Sequence, residues 1–222
     1  NQTLYIDYNW DTATQSFVPS DKSESTYNTN GNETLYIYYN WDTSTQSFVP
    51  SDKLESTYDT NGNRTLYIDY NWDTATQSFL PLNKREYAYD TNGNQTLYID
   101  YNWDTATQSF VPSFKREYAY NANGNQTLYI NYDWDTATQS FVPSYKKEYT
   151  YDANGNQTLI IQYNWNTSTQ SFVPSDKYES TYDANGNKTL FISYNWDTAT
   201  QSFVPSSKRE YAYDANGNQT IR

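Results

Sequence analysis

Acid–base and metal chemistry near neutral pH runs mostly on histidine, cysteine and paired carboxylates, and this sequence holds only the last. Its 222 residues include no His and no Cys, against 26 Asp and Glu, 26 Tyr and 7 Trp. The missing imidazole and thiolate remove the usual general base, the cysteine nucleophile and the commonest transition-metal ligands. Carboxylates remain, but the Glu24 type of residue returns in every repeat. A general acid and a general base need two carboxyls in unlike environments within one pocket, and no pair is singled out. The sequence reads as non-enzymatic.

Other patterns carry binding or modification chemistry. Asp-x-Asn-Gly-Asn, as at Asp59 to Asn63, supplies hard oxygen ligands of the kind calcium takes. Turn formation explains the same residues without a metal, so no cofactor is expected and calcium is the alternative. Asn-x-Thr at Asn32, Asn63, Asn94, Asn125, Asn156 and Asn187 is formally an N-glycosylation sequon, though its place beside a turn glycine accounts for it. Asp-Thr-Ala puts Thr12, Thr74, Thr105, Thr136 and Thr198 in the pattern of a bacterial O-glycosylation acceptor, in a loop expected to be exposed. Trp10, Trp41, Trp72, Trp103, Trp134, Trp165 and Trp196 could stack sugar rings as a glycan-binding face. The competing reading makes the Trp, Tyr, Leu and Ile residues the core, through cross-strand aromatic pairs.

These residues are positioned by an internal repeat. Every Trp lies 31 residues from the next, and so do Pro19 to Pro205 and Gly31 to Gly217. Seven units span 1–31, 32–62, 63–93, 94–124, 125–155, 156–186 and 187–217, and residues 218–222 open an eighth. The whole chain, 1–222, is read as one array. It starts mid-pattern at Asn1 without Met, which suggests a piece of a longer array.

Each unit carries two strand-like stretches and two turn signals. Alternation from Thr3 to Trp10 places Leu4, Ile6, Tyr8 and Trp10 on one face. The same rule along Phe17 to Tyr27 groups Phe17, Pro19, Asp21, Ser23, Ser25 and Tyr27, and sends Lys22 and Glu24 to the other, more polar face. The loop Asp11 to Ser16, followed by Phe17, resembles the second hairpin loop of protein G immunoglobulin-binding domains, which carries Asp-Asp-Ala-Thr-Lys-Thr-Phe. That geometry sets Trp10 opposite Phe17. The other connection suits a type I turn closed by a glycine bulge, pairing Tyr27 with Glu33 and Ser25 with Leu35. By these registers Pro19 faces Tyr8 and Trp41, at a place where the ladder is ending. Positions that vary between units (Asp21 becomes Asn83, Phe114, Tyr145 and Ser207; Ser23 becomes Leu54, Arg85, Lys147 and Tyr178) are expected on the Trp face.

The expected fold is all-β: tandem 31-residue β-hairpins forming one elongated, coiled antiparallel meander sheet, with a closed barrel as the alternative. The segment Tyr149-Thr-Tyr-Asp-Ala-Asn-Gly-Asn156 resembles the YD repeat of Rhs-type and teneurin shells, as do Tyr87 to Asn94, Tyr118 to Asn125 and Tyr211 to Asn218. The resemblance implies hairpin repeats in a long spiralling sheet of a secreted bacterial protein, often a shell around cargo.

The net charge of −12 disfavours nucleic acid and anionic membranes as partners. No apolar run approaches the ~20 residues of a membrane span. The expected function is a structural or adhesive segment of a secreted or cell-surface protein, with a carbohydrate-binding module on the aromatic face as the alternative. Expected partners are glycans or neighbouring repeat segments, and unpaired terminal strands would favour end-to-end self-association.

Overall fold

The computed structural model describes residues 1–221, almost all of them in strands and tight turns. The chain divides into two compact units, Asn1–Ser113 and Phe114–Arg222. The first contains β1 (Leu4–Asp11), β2 (Ser16–Tyr27), β3 (Glu33–Asp42) and β4 (Ser47–Tyr58). It continues with β5 (Arg64–Asp73), β6 (Ser78–Tyr89), β7 (Gln95–Asp104) and the opening of β8 (Ser109–Tyr120). The second holds the rest of β8, then β9 (Gln126–Asp135), β10 (Ser140–Tyr151), β11 (Gln157–Asn166) and β12 (Ser171–Tyr182). It ends with β13 (Lys188–Asp197), β14 (Ser202–Glu210) and the short pair β15 (Ala212–Tyr213) and β16 (Gln219–Ile221). Strands β1 to β14 follow one another in chain order in an antiparallel meander, and β15 pairs with β16. The sheet is open; the closed-barrel alternative is not realised.

Two bulges per unit set which side chains share a face. In the first hairpin Trp10 lies opposite Phe17 and Tyr8 opposite Pro19, as the loop geometry requires. The next pair is Asp7 with Asp21, so Ser20 is an extra residue. Proline cannot donate to a ladder, and bulges are where strands accommodate it. On its other side the β2–β3 ladder stops at Asp21 opposite Asn40, so Pro19 has no partner there and does not face Trp41. The second bulge follows the Gly turn: Tyr27 pairs with Glu33, but Leu35 pairs with Thr26, leaving Thr34 extra. The expected Ser25–Leu35 pairing is therefore off by one residue. The Thr26 and Thr34 hydroxyls meet at 3.1 Å across it.

A one-residue slip inverts every side chain that follows. The two slips cancel from one hairpin to the next, so the Leu, Ile, Tyr and Trp rows stay on one face. Between the bulges the residues from Asp21 to Thr26 are inverted relative to simple alternation. Lys22, Glu24 and Thr26 thus pair with Tyr39, Ile37 and Leu35 on the Trp face, while Asp21, Ser23 and Ser25 pair with Asn40, Tyr38 and Tyr36 on the other. Both placements correct the alternation-based expectation. The variable positions lie opposite the Trp row, and the recurrent charges lie within it.

Among the described residues no apolar side chain is fully enclosed, and Ser56 is the one buried residue. The aromatic rows therefore form no closed core. Their burial comes from cross-strand neighbours on a single layer.

The turns are closed by side chains. In the Trp–Phe loop Asp11 Oδ1 accepts from the Ala13 amide at 2.8 Å and Oδ2 from the Thr14 hydroxyl at 2.9 Å. Gln15 closes that loop at φ 52°, a left-handed conformation rare for a residue other than glycine. In the second turn Asp59 Oδ1 accepts from the amides of Asn61 and Asn63, and Gly62 takes φ 87°.

Candidate functional site

The residues with most chemical character meet in a cluster that recurs along the Trp face. Lys22 Nζ donates to Glu24 Oε1 at 2.9 Å and sits 3.9 Å above the Tyr39 ring. Tyr39 Oη donates to Glu24 Oε2 at 2.8 Å, and Phe48 lies 5.4 Å from the same ammonium. Lysine and glutamate come from one strand at i and i+2, the spacing that keeps both on one face. Tyrosine and phenylalanine come from the next hairpin. In the first unit the arrangement repeats as Lys53, Glu55 and Tyr70, then Lys84, Glu86 and Tyr101. In the second it recurs as Lys115 with Glu117 and Tyr132, Lys146 with Glu148 and Tyr163, and Lys177 with Glu179 and Tyr194.

The electrostatics follow from these contacts. Hydrogen bonds from Lys22 and then Tyr39 hold the Glu24 carboxyl below the usual carboxylate range. At Glu86 partial burial pushes the carboxyl up, but bonds from Lys84 and Tyr101 outweigh it and the net shift is again downward. Burial, reinforced by the bond to Glu24, pushes the Tyr39 hydroxyl up to about 12. Each group is thus held in its ordinary charge state, with glutamate ionised and tyrosine protonated. A proton-transfer residue needs a pKa near the working pH, and this network moves its glutamate and tyrosine away from that condition.

A second recurrent contact uses the YD tyrosine. Tyr58 Oη donates to the Glu33 carbonyl oxygen at 2.9 Å, and Tyr27, Tyr151, Tyr182 and Tyr213 make the equivalent bond to the residue 25 positions earlier. These bonds satisfy backbone carbonyls at the start of the preceding strand. Neither contact follows from simple alternation. Lys-x-Glu spacing was the sequence signal for the first, but the tyrosine partner fifteen residues on is visible only with both bulges in place.

The sequence-derived candidates take the following positions. Each Trp packs edge-on against the Phe across its loop, with ring centres 4.9 to 5.1 Å apart. Trp10 is 54% exposed because β1 has a neighbour on one side only; the other six Trp residues are half-buried. Shallow clefts open between successive hairpins on this face. One of about 520 Å³ is lined by Phe17, Val18 and Pro19 with Trp41, Thr43 and Gln46. Another of about 330 Å³ is lined by Phe141, Val142 and Pro143 with Trp165, Thr167 and Gln170.

Thr12, Thr74, Thr105, Thr136 and Thr198 are exposed on their loops, whose hydroxyl contacts run through Thr14 and its counterparts instead. The turn aspartates are committed to the turn: Asp59 Oδ1 takes two amides and Oδ2 takes the Asn63 side-chain amide at 3.0 Å. Among the described residues no three acidic side chains come together at metal-ligand spacing, and no helix is long and apolar enough to cross a membrane.

No protein-family model matches the chain, and no curated protein is similar to it in sequence. Several solved structures align with part of it. A Bacteroides fragilis protein of unknown function is 17% identical, aligns with 57% of this chain and 89% of its own, and gives a TM-score of 0.47. A DUF3836 family protein from Bacteroides vulgatus is 18% identical over 40% of this chain and 89% of its own, with a TM-score of 0.34. The Photorhabdus luminescens Tc holotoxin pore is 14% identical over 93% of this chain but 12% of its own, with a TM-score of 0.32.

Proposed function

We propose that this chain is a non-enzymatic structural or adhesive repeat segment of a secreted or cell-surface bacterial protein. The observation that carries the reading is the Lys–Glu–Tyr cluster. Its charged and hydroxyl groups are used to join each hairpin to the next, in the same way from unit to unit. Repeat proteins gain stability from such nearest-neighbour interfaces, and a spacer or wall needs nothing more. The edges of β1 and β14 offer backbone groups for edge-to-edge pairing with a further copy or a neighbouring repeat segment. Sedimentation should show association that grows with concentration; a strict monomer at high concentration would remove that partner.

The second reading, a carbohydrate-binding module on the Trp face, is favoured by the clefts that place Trp41 and Trp165 beside the Phe and Pro of the preceding hairpin. A glycan array with and without calcium separates the two. The structural reading expects no saturable ligand on the Trp face. Saturable binding that Trp103→Ala abolishes without unfolding the chain would replace it with the second.

A further inference from the structure

On the face opposite the Trp row, and independently of either reading above, the second unit departs from the repeat. Where the first hairpin carries Asp21, Ser23 and Ser25, β10 presents Tyr145, Lys147 and Tyr149, paired with Asn131, Tyr129 and Ile160 of the flanking strands. Tyr129, Asn131, Tyr145, Lys147 and Tyr149 line a shallow cleft of about 370 Å³. The Tyr129 and Tyr145 rings stand 6.4 Å apart at 65°, forming two walls of a V. Lys147 Nζ lies 5.2 Å from the Tyr145 ring centre. Among the described residues no carboxylate comes within 4.0 Å of Lys147, whereas the lysine of each Lys–Glu–Tyr cluster has its own glutamate. The nearby Asp133 is engaged elsewhere: the Asn131 side-chain amide donates to it at 3.1 Å and to Ser144 Oγ at 2.9 Å, which fixes the amide on the cleft wall.

We propose that this cleft binds a carboxylate-bearing pyranose, a uronic acid residue. The tyrosine rings supply flat apolar surfaces on which the C–H face of a sugar ring stacks. The Asn131 side-chain oxygen and the tyrosine hydroxyls supply hydrogen-bonding groups, and the Lys147 ammonium supplies the positive charge that a carboxylate seeks. The protein's net charge of −12 disfavours polyanions, and a single carboxylate is enough to meet the Lys147 ammonium.

The test uses the full chain, labelled at tyrosine and lysine, titrated with methyl β-D-glucuronide and separately with its neutral methyl ester. The expected result is saturable shifts at Tyr145 and Lys147 with the glucuronide and at least five-fold weaker binding of the ester. Lys147→Gln should weaken glucuronide binding at least five-fold, and Tyr145→Ser should do the same, both at an unchanged melting temperature. Absence of saturable shifts with the glucuronide overturns the proposal. So does an ester that binds equally well, or a Lys147→Gln variant that binds as the parent does.

Discussion

Lys84 tests how a sheet with no enclosed core holds its hairpins together. Its side chain is 20% exposed, its ammonium is 2.7 Å from Glu86 Oε1, 3.8 Å above the Tyr101 ring and 5.6 Å from the Phe110 ring. Lys84→Ala removes three contributions. At about 0.8 kcal/mol per buried CH₂, the covered part of the stem is worth about 2 kcal/mol. The cation over tyrosine adds about 0.5–1 kcal/mol in a partly solvated site. The ion pair adds at most about 1 kcal/mol, because Glu86 is 37% exposed and screened by water. The sum is a loss of about 3 kcal/mol for alanine. Lys84→Met keeps most of the stem and loses only the charge, so it should cost about 1 kcal/mol. Urea unfolding followed by tryptophan fluorescence measures both. An alanine variant within about 0.5 kcal/mol of the parent would refute the claim that this lysine packs between hairpins. A methionine variant as unstable as alanine would instead place the whole effect in the charge.

Three further outcomes are expected. Asn28 stands where most units have Asp; it takes the two turn amides, but Asn32 Nδ2 is left without the carboxylate partner that Asn63 finds in Asp59. Asn28→Asp should stabilise the chain by about 0.5–1.5 kcal/mol, read as a rise in melting temperature, and a fall would contradict the turn geometry. Gln108 holds φ 51°, so Gln108→Val should destabilise by about 1–2 kcal/mol in chemical unfolding, while Gln108→Asn should be neutral or better; equal effects would argue against a left-handed residue there. The pH limits have definite signs. Glu24 and its counterparts have lowered pKa values, so their contribution is present above the ordinary glutamate value and is lost as pH falls through the lowered one. Tyr39, raised to about 12, contributes fully below its ordinary value near 10, and that contribution is lost as pH rises through about 12. Ultraviolet titration should therefore show a tyrosine class that ionises only near the alkaline unfolding transition. Normal titration of every tyrosine would rule out the Tyr–Glu bonds.

Strand positions, both turn types and the Trp–Phe pairing were legible in the sequence, because β-formers, Asp-capped loops and Asn-Gly turns act locally. The faces were not fully legible. A bulge adds one residue without changing composition, and Tyr occurs on both faces, so no polar contrast marks the inversion between Ser20 and Thr34. Pro19 was the available signal: a proline inside a strand points to a bulge as readily as to a ladder end. Thr34 gave none, since Glu33-Thr-Leu-Tyr reads as ordinary strand. For the same reason simple alternation puts Lys22 and Glu24 on the more polar face and the variable positions beside the Trp row.

The two bulges bring Lys22 and its counterparts onto the Leu, Ile and Trp face beside Tyr39 and its counterparts. Nuclear Overhauser contacts between the lysine ε-methylene protons and the tyrosine rings, in protein labelled selectively at those residues, test it most directly. The bulged register predicts contacts from Lys22 to Tyr39, Lys53 to Tyr70 and Lys84 to Tyr101, with upfield shifts of those methylenes from the rings they cover. Contacts from Lys22 to Tyr36 or Tyr38 instead would mean that plain alternation holds and that the cluster does not form.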